Sequence, residues 1–241
     1  MFNQNIIKLS EVDSTNNYAL SLKENPLFKE GLVITTEYQT NGLGQRGSNW
    51  ESENGKNLLL SVVIEPNIEL ENKFDISKIV AISICDYLNS IGLNPKIKWP
   101  NDILIGKDKI AGILIQNVIF KNKITHSVIG IGLNVNQIIF TGYSPKATSV
   151  KNKLGVELNI EKVRVELLNF FEDNLSVLNN RDRLEKRYLD YLFMRNKAAI
   201  FEQKNQKFNG IIKGVTIDGL LIVETDKIRR NFDLKEIKML F

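Results

Sequence analysis

Apolar positions follow two different periods along this chain, and each period predicts a different kind of element. Runs of β-branched and other apolar residues predict buried strands over residues 32–38 and 58–64. From Ile76 to Ile91 the apolar residues instead recur at helical spacing, and Gly92 follows as a stop. The first part of the chain is therefore predicted to combine strands and helices.

The same two patterns continue through the middle of the chain. Residues 103–115 predict two strands around a short polar turn, and residues 124–135 predict a third strand. Amphipathic helices are predicted over residues 159–179 and 181–193. Near the start, Ser14 precedes a short helical pattern and is predicted to stand at the N-cap of that helix.

The pattern changes near Arg195. Beyond it the apolar runs become short, and Asn209-Gly210 and Asp218-Gly219 predict hairpin turns. We therefore place a domain boundary there, with a larger domain over residues 1–194 and a small β-barrel over residues 195–241. Strands mixed with helices, followed by strands alone, predict the α+β class.

Composition excludes several kinds of catalytic site. His126 is the only histidine and Cys85 the only cysteine of the 241 residues. A zinc site needs about four Cys, His or acidic ligands, and a Ser-His-Asp triad needs a placed imidazole, so hydrolysis at a histidine-held metal is excluded. Cys85 lies in an apolar run, where a buried structural thiol is expected, and no disulfide can form within the chain.

Charge and hydropathy narrow the choice of partners. The chain carries 32 basic and 28 acidic residues, for a net charge of +4, and no long block of like charges. Neither a nucleic acid nor a membrane is therefore expected as a partner. Residues 1–17 lack the apolar core of a signal peptide, and no stretch approaches the length of a transmembrane helix. We expect a cytoplasmic protein.

A glycine-rich segment over residues 42–50 is the first candidate site. Gly42, Gly44 and Gly47 have the spacing of a dinucleotide-binding fingerprint, which requires a helix to start at the third glycine. The residues after Gly47 have no apolar stripe and lead directly to a strand, and no Gly-Lys-Ser/Thr follows. Two alternatives stay open: a loop whose backbone N–H groups hold an anion, or an ordinary glycine-rich connection.

The segment Lys-Trp-Pro-Asn-Asp at residues 98–102 is the second candidate site. Its cation, aromatic ring, amide and carboxylate suit an anionic, adenine-bearing ligand, and Asp102 suits a magnesium ion or an amine. A turn with an Asx cap would explain the same residues without a ligand. Lys109, just before the apolar residues 110–114, adds a cation near this centre, although a lone lysine usually lies at the surface.

Taken in order, these segments resemble the motifs of biotin protein ligases, from about residue 8 to the C-terminus. The resemblance implies the family's mixed sheet flanked by helices, similar to class II aminoacyl-tRNA synthetases and lipoate ligases, followed by a small C-terminal β-barrel. The segments that carry it are residues 14–16, 37–39, 42–50, 98–102, 109–114 and 130–136.

The resemblance implies a reaction in two steps. Biotin protein ligases form biotinyl-5′-AMP from biotin and ATP and then pass biotin to a lysine of a carrier domain. Biotin, ATP and Mg2+ are thus the implied ligands, and the biotin carboxyl carrier protein of acetyl-CoA carboxylase or a related carboxylase is the implied partner. Family members associate through the central sheet, so a homodimer and a monomer both stay open.

The resemblance also implies roles for residues at matching positions. The residues expected to bind biotin are Ser14, Thr15, Asn16, Gln39, Gly42, Gly44, Lys109 and Gly112. Those expected to bind ATP, with Trp50 on the adenine, are Arg46, Trp50, Asn101, Lys109 and Asn134. Those expected to act in catalysis are Lys109, Arg46, Asp102 and Lys98, and Asp102 is also the candidate metal ligand.

Two departures from the family pattern change what is expected. The familiar loop reads Gly-Arg-Gly-Arg-Arg-Gly, whereas Leu43 and Gln45 stand at its first two arginine positions here, so weaker retention of biotinyl-AMP is expected. No DNA-binding domain precedes the catalytic segments, so a ligase without repressor activity is expected. A lipoate or octanoate ligase on the same fold is the alternative, although its usual triple-glycine run and substrate-loop histidine are missing.

Overall fold

The computed structural model describes residues 1–142, 145–178, 180–226 and 228–240, and of Arg46 it describes the backbone alone. The strands before the predicted boundary are β1 (Asn5–Val12), β2 (Leu32–Gln39), β3 (Leu58–Ile64), β4 (Ile68–Glu69), β5 (Pro95–Lys98), β6 (Asp102–Ile105), β7 (Asp108–Phe120) and β8 (Lys123–Leu133). The helices are α1 (Thr15–Ser21), α2 (Lys73–Ser90), α3 (Val150–Leu154), α4 (Ile160–Leu175) and α5 (Arg181–Tyr191). The last strands are β9 (Ala198–Gln203), β10 (Gln206–Val215), β11 (Leu221–Thr225), β12 (Ile228–Phe232) and β13 (Lys238–Leu240).

A mixed sheet forms the centre of the larger part. Its strand order is β1-β2-β3-β8-β7-β6-β5, and β4 pairs with β8. The β1–β2 pair is parallel, whereas the other pairs are antiparallel. The predicted α+β class with a mixed sheet is thus confirmed. The helix predicted over residues 159–179 is α4, which ends at Leu175, and its predicted end at Asn179 lies outside the described residues.

The helix α2 forms the core between the sheet and the outer helices. It packs on α4 and α5 and also contacts β5, β6 and β7, so side chains are buried along most of its length. Cys85 is fully buried there, as expected of a structural thiol. Burial raises the pKa of this thiol, which disfavours the reactive thiolate. No helix in the described residues is long and apolar enough to cross a membrane.

A separate antiparallel sheet follows, with strand order β12-β11-β10-β9-β13. It is joined to the larger part by the indole of Trp99, whose Nε1 donates to the carbonyl oxygen of Gly219 at 2.8 Å. A Cβ at Gly219 would come within 2.5 Å of the Phe74 ring, so this turn packs closely on α2. The antiparallel sheet is as predicted, and its closure into a barrel stays a prediction.

One predicted turn is wrong. Asn209 and Gly210 lie inside β10, paired with Ile200 and Ala199 of β9. The hairpin instead turns at Lys204-Asn205, whose φ angles are 48° and 64°, as the favoured two-residue hairpin turn requires. The Asn-Gly pair has the chemistry of such a turn, but strand pairing fixes the register elsewhere. The turn predicted at Asp218-Gly219 is confirmed by the bond from Gly219 N to Thr216 O at 3.0 Å.

The sequence pattern does not predict β1, β5 or α3, and each has a weak signal for a physical reason. β1 is an edge strand whose residues are all at least partly exposed, so it carries no apolar run. β5 has only 4 residues and α3 only 5, which is too short for a period to emerge.

Candidate functional site

The glycine-rich loop forms a small hairpin that is closed by its own backbone. Gly44 N donates to Ser48 O at 2.6 Å, and Trp50 N donates to Gly42 O at 2.9 Å. A single 3-10 turn, Gln45–Gly47, lies between them, and the chain then leads to β3 without a helix. The exclusion of a dinucleotide-binding fingerprint is therefore confirmed. Three of the loop's N–H groups, those of Gly44, Ser48 and Trp50, are engaged within the loop, and an anion cradle stays a prediction.

The indole of Trp50 lies against the sheet at a place that has no side chains. Gly112 of β7 pairs with Gly132 of β8. A Cβ at Gly132 would overlap the indole, and a Cβ at Gly112 would lie 2.9 Å from it. Only glycine lets the ring approach the two strands this closely. Lys109 Nζ lies 5.4 Å from the ring centroid, which is within range of a cation–π contact.

Two polar atoms of this loop are buried without a hydrogen-bond partner among the described residues. They are Nε1 of Trp50 and Oε1 of Gln45. A buried polar group without a partner costs about 1–3 kcal/mol, so each of these atoms would gain from a ligand or a water molecule. The loop therefore carries one donor, Nε1 of Trp50, and one acceptor, Oε1 of Gln45, that are available to a ligand.

Asp102 holds two lysines that come from neighbouring strands. Its Oδ1 lies 2.6 Å from Lys109 Nζ, and its Oδ2 lies 3.1 Å from Lys98 Nζ. The strand pairing explains this, because Lys98 of β5 pairs directly with Asp102 of β6, and Lys109 is the second residue of the adjoining β7. The side chains are 12–27% exposed, so solvent screens their charges less than at the surface. Two ammonium groups and one carboxylate leave an excess positive charge.

A polar group of residues at the start of α1 and the end of β2 forms another part of the site. The backbone N–H of Thr15 donates to Oε1 of Gln39 at 2.9 Å, and Oγ1 of Thr15 lies 3.0 Å from the same oxygen. Since a backbone N–H can only donate, Nε2 of Gln39 must face away from Thr15. Ser14 stands at the N-cap of α1 as predicted, but its hydroxyl makes no capping bond.

Behind Thr15 lies a chain of buried hydrogen bonds. Oγ of Ser61 is 2.7 Å from Thr15 Oγ1 and 2.6 Å from Asn16 Oδ1. Nδ2 of Asn16 donates to Gln116 Oε1 at 2.8 Å and to Leu114 O at 3.3 Å. Thr15, Asn16 and Ser61 are at most 4% exposed. The chain therefore fixes the side chains of Thr15 and Asn16 from the core side.

These groups surround one cavity of about 400 Å3, within the roughly 300–1,000 Å3 typical of small-molecule sites. Most of the predicted site residues lie in its wall. The predicted residues that the structure brings together there are Ser14, Thr15, Asn16, Gln39, Gly44, Trp50, Lys98, Asn101, Asp102, Lys109 and Gly112.

Three predicted residues are not part of the described wall. Gly42 lies beside it, since a Cβ there would collide with the carbonyl oxygen of Trp50. Asn134 is buried, and its Nδ2 donates to Thr148 O at 2.9 Å, so it holds the segment after β8. The prediction for the Arg46 side chain falls outside the described residues.

Other residues of the site escape the sequence motifs. Ser61 and Gln116 complete the buried chain behind the wall, and the lone serine in the apolar strand β3 is a signal that could have revealed the first. Leu234 and Lys235, which connect β12 to β13, also lie in the cavity wall. Nothing in their local sequence indicates this, because they reach the site only through the packing of the two sheets.

The described residues contain no group of three or more His, Cys, Asp or Glu side chains placed to hold a metal ion. In the cavity wall, Asp102 is the only carboxylate among the described residues. Both of its oxygens already contact ammonium groups. This arrangement suits an anionic ligand better than a divalent cation.

Known sequences similar to this chain include ligases that act on proteins. Residues 9–134 match the model of the biotin/lipoate A/B protein ligase family. The bifunctional ligase/repressor BirA of Escherichia coli (strain K12) is 30% identical over 231 residues, which cover 91% of this chain and 69% of that protein. The biotin–[acetyl-CoA-carboxylase] ligase of Paracoccus denitrificans is 30% identical over 131 residues, 53% of either chain.

The fold also has a counterpart among solved structures. The biotin protein ligase from Aquifex aeolicus in complex with biotin and ATP matches with a TM-score of 0.80 at 24% sequence identity. The match covers 98% of this chain and 99% of that one. It therefore extends over both the mixed sheet and the C-terminal sheet.

Proposed function

Because the chain belongs to the biotin/lipoate A/B protein ligase family and is a biotin protein ligase, we propose that it works through biotinyl-5′-AMP. In this proposal it joins biotin to AMP with release of pyrophosphate and then transfers biotin to one lysine of a biotin carboxyl carrier protein. The observation that carries the proposal is the cluster of Lys98, Asp102 and Lys109 in the wall of the same cavity as Thr15 and Gln39.

The biotin ring is proposed to bind at Thr15 and Gln39. A ureido ring presents N–H donors and a carbonyl acceptor, so it needs both an acceptor and a donor from the protein. Thr15 Oγ1 supplies the acceptor, and Nε2 of Gln39, which faces away from Thr15, supplies the donor. Ser14, Asn16, Gly44 and Gly112 would complete this end of the site.

The reaction between two anions is proposed to occur at the lysine cluster. A carboxylate oxygen of biotin attacks the α-phosphorus of ATP, the bond from this phosphorus to the bridging oxygen breaks, and pyrophosphate leaves. Lys109 and Lys98 offset the repulsion between the reactants. Because Asp102 holds both ammonium groups before the ligands arrive, little reorganisation is needed to stabilise the developing charge.

The adenine is proposed to stack on Trp50. The indole lies beside Lys109, so a base on it would be close to the reacting phosphate. The unpartnered Nε1 of Trp50 supports a ligand acceptor nearby. Asn101 is proposed to shape the nucleotide site through the backbone, since its Nδ2 donates to Ile113 O at 2.9 Å.

Magnesium is proposed to arrive on ATP as part of the substrate. The donor set around Asp102 does not fit a protein-held Mg2+, because both of its oxygens contact lysines. The earlier expectation of Asp102 as a metal ligand is therefore not carried into the mechanism. Asp102 is instead proposed to position the two cations.

In the second step, the lysine amine of the carrier attacks the acyl carbon of biotinyl-AMP. The bond to the phosphate oxygen breaks, AMP leaves, and the amine loses a proton to form the amide. The name of the Paracoccus relative includes acetyl-CoA carboxylase, which supports the carrier protein of a carboxylase as the acceptor of biotin. That the chain is a ligase without repressor activity stays a prediction, as does the division at residue 195.

Release of pyrophosphate from Mg-ATP, measured with biotin, lipoate, octanoate or no acid, tests the proposal. Release that depends on biotin alone is the expected result. Release that depends on lipoate or octanoate would keep the fold and the lysine chemistry but overturn the substrate. No release with any acid, from folded protein, would overturn the adenylation step.

A further inference from the structure

Ser61 is the only polar side chain of the strand β3, and it is completely buried. It does not line the cavity, yet its hydroxyl contacts Thr15 and Asn16, which do. A buried hydroxyl in an otherwise apolar strand is unfavourable unless its hydrogen bonds are made. Its place between two residues of the cavity wall suggests a role beyond packing.

The protons in this cluster can be assigned from groups whose roles are fixed. Leu114 O can only accept, so the group of Asn16 that faces it is Nδ2, and Oδ1 of Asn16 faces Ser61. An amide oxygen cannot donate, so Ser61 gives its single proton to Asn16. The proton in the 2.7 Å contact between Ser61 and Thr15 must then come from Thr15.

This assignment decides what Thr15 offers to a ligand. Its proton points to Ser61 in this assignment, and the other protein acceptor within reach is Oε1 of Gln39 at 3.0 Å, which accepts the backbone N–H of Thr15 and has a second lone pair. Only lone pairs of Thr15 Oγ1 are left for the cavity, so Thr15 acts there as an acceptor. Without Ser61 the hydroxyl would keep only Oε1 of Gln39 as a protein acceptor, and it could also rotate to donate to a ligand.

We propose that Ser61 is a positioning residue for substrate recognition, which keeps Thr15 as a hydrogen-bond acceptor for a ring N–H of biotin. This inference rests on the proposed function. Ser61 acts through Thr15 and touches neither biotin nor ATP. Its contribution is to select a ligand with a donor at this position over one with an acceptor.

A matched control lies in the same sheet. Ser127 of β8 is also completely buried, and its Oγ donates to Oδ1 of Asn117 at 2.8 Å. Ser127→Ala thus removes the same atom and the same kind of hydrogen bond as Ser61→Ala, but outside the described cavity wall. Any general effect of deleting a buried hydroxyl will affect both variants.

The test measures binding of biotin and of two cyclic carbamate analogues, in each of which one ring N–H is replaced by oxygen. The wild-type protein is expected to prefer biotin over at least one analogue by about 10-fold or more, because two acceptors would otherwise face each other. Ser61→Ala is expected to weaken biotin binding about 10-fold and to reduce this preference several-fold. Ser127→Ala should retain the wild-type preference, and Ser61→Cys, whose sulfur is a weak acceptor for the Thr15 proton, should recover part of it.

The outcomes separate the two proposals. Folded wild-type protein that does not bind biotin would overturn the proposed function itself. Wild-type protein that binds biotin while Ser61→Ala keeps the full preference would overturn the role of Ser61 alone. If Ser61→Ala does not fold, the preference measured for Ser61→Cys decides, because an unchanged preference with this weaker acceptor contradicts the inference.

Discussion

Lys109 Nζ lies 2.6 Å from Oδ1 of Asp102, and this ion pair links the start of β7 to the start of β6. The pair connects two separate sequence motifs, residues 98–102 and residues 109–114. It also shares its carboxylate with Lys98, so the position of each ammonium group depends on Asp102. A ligand that draws Lys109 away from Asp102 must itself be an anion.

Lys109→Ala is expected to slow formation of biotinyl-AMP by about 10²–10³-fold, as is typical when one placed donor is removed from a transition state. The measurement is biotin-dependent release of pyrophosphate at saturating ATP. Lys123→Ala is the control, because this lysine stands at the start of β8 and is 3.6 Å from Glu69. A rate for Lys109→Ala within threefold of the control would remove Lys109 from the catalytic residues.

Asp102→Asn keeps the size of the side chain but removes the charge that holds the lysines. Lys98 and Lys109 are then expected to repel each other, and their ammonium groups to leave the positions seen here. We expect a loss of kcat of about 10-fold or more, with the affinity for the biotin ring unchanged because Thr15 and Gln39 are untouched. An equal loss in biotin affinity and in kcat would contradict a role restricted to the lysines.

Trp50→Ala is expected to raise the KM for ATP about 10-fold, since stacking of a base on an aromatic ring contributes about 1–3 kcal/mol. Gly132→Ala should have a similar effect, because its methyl group would displace the indole from the strand. The double variant should be no worse than the more severe single variant. Additive effects would show that the glycine acts on something other than Trp50.

Leu43 and Gln45 both line the cavity, where the familiar family loop carries arginines. Leu43→Arg combined with Gln45→Arg is expected to slow the release of biotinyl-AMP, because two cations would be added around an anionic intermediate. Dissociation of labelled adenylate is the measurement. The same changes should leave the initial burst of adenylate formation intact. Release at the wild-type rate would contradict the weaker retention expected of this loop.

Glu161, at the start of α4, should give the protein a stability that depends on acid pH. Hydrogen bonds from Arg164 and Lys8 lower the pKa of Glu161 from 4.5 to about 2. A lowered pKa stabilises the folded state fully above the ordinary value, and this stabilisation is lost as the pH falls from 4.5 towards 2. The difference in unfolding free energy between wild type and Glu161→Gln should therefore be largest at neutral pH.

Urea titrations at several pH values between 7 and 2.5 measure this difference. Glu166→Gln is the control on the same helix, since the ammonium group of Lys162 lies 3.7 Å from Glu166. The pH dependence found for Glu161→Gln is compared with that of this variant. A constant difference for Glu161→Gln across the range would mean that Arg164 and Lys8 contribute nothing through this carboxylate.

The sequence predicted those contacts of the site whose residues are close together in the chain. Residues 98–102 carry Lys98 and Asp102 together, and Lys109 follows across one hairpin, so their meeting follows from a short strand pair. The sequence did not predict contacts between residues that are far apart in the chain and meet only through packing. Ser61 reaches Asn16 across 45 residues, and Leu234 reaches the cavity only through the docking of the second sheet. The lone serine of β3 marks Ser61 as unusual, but no local pattern shows which residue it or Leu234 contacts.

The glycine pair of β7 and β8 makes one part of the sheet unusually sensitive to change. At Gly112 and Gly132 the neighbour is the indole of Trp50 and, behind it, the space for a ligand. A methyl group at either position would push the indole towards that space, so the site can be narrowed by a change in the sheet that adds no residue to the cavity-lining loop.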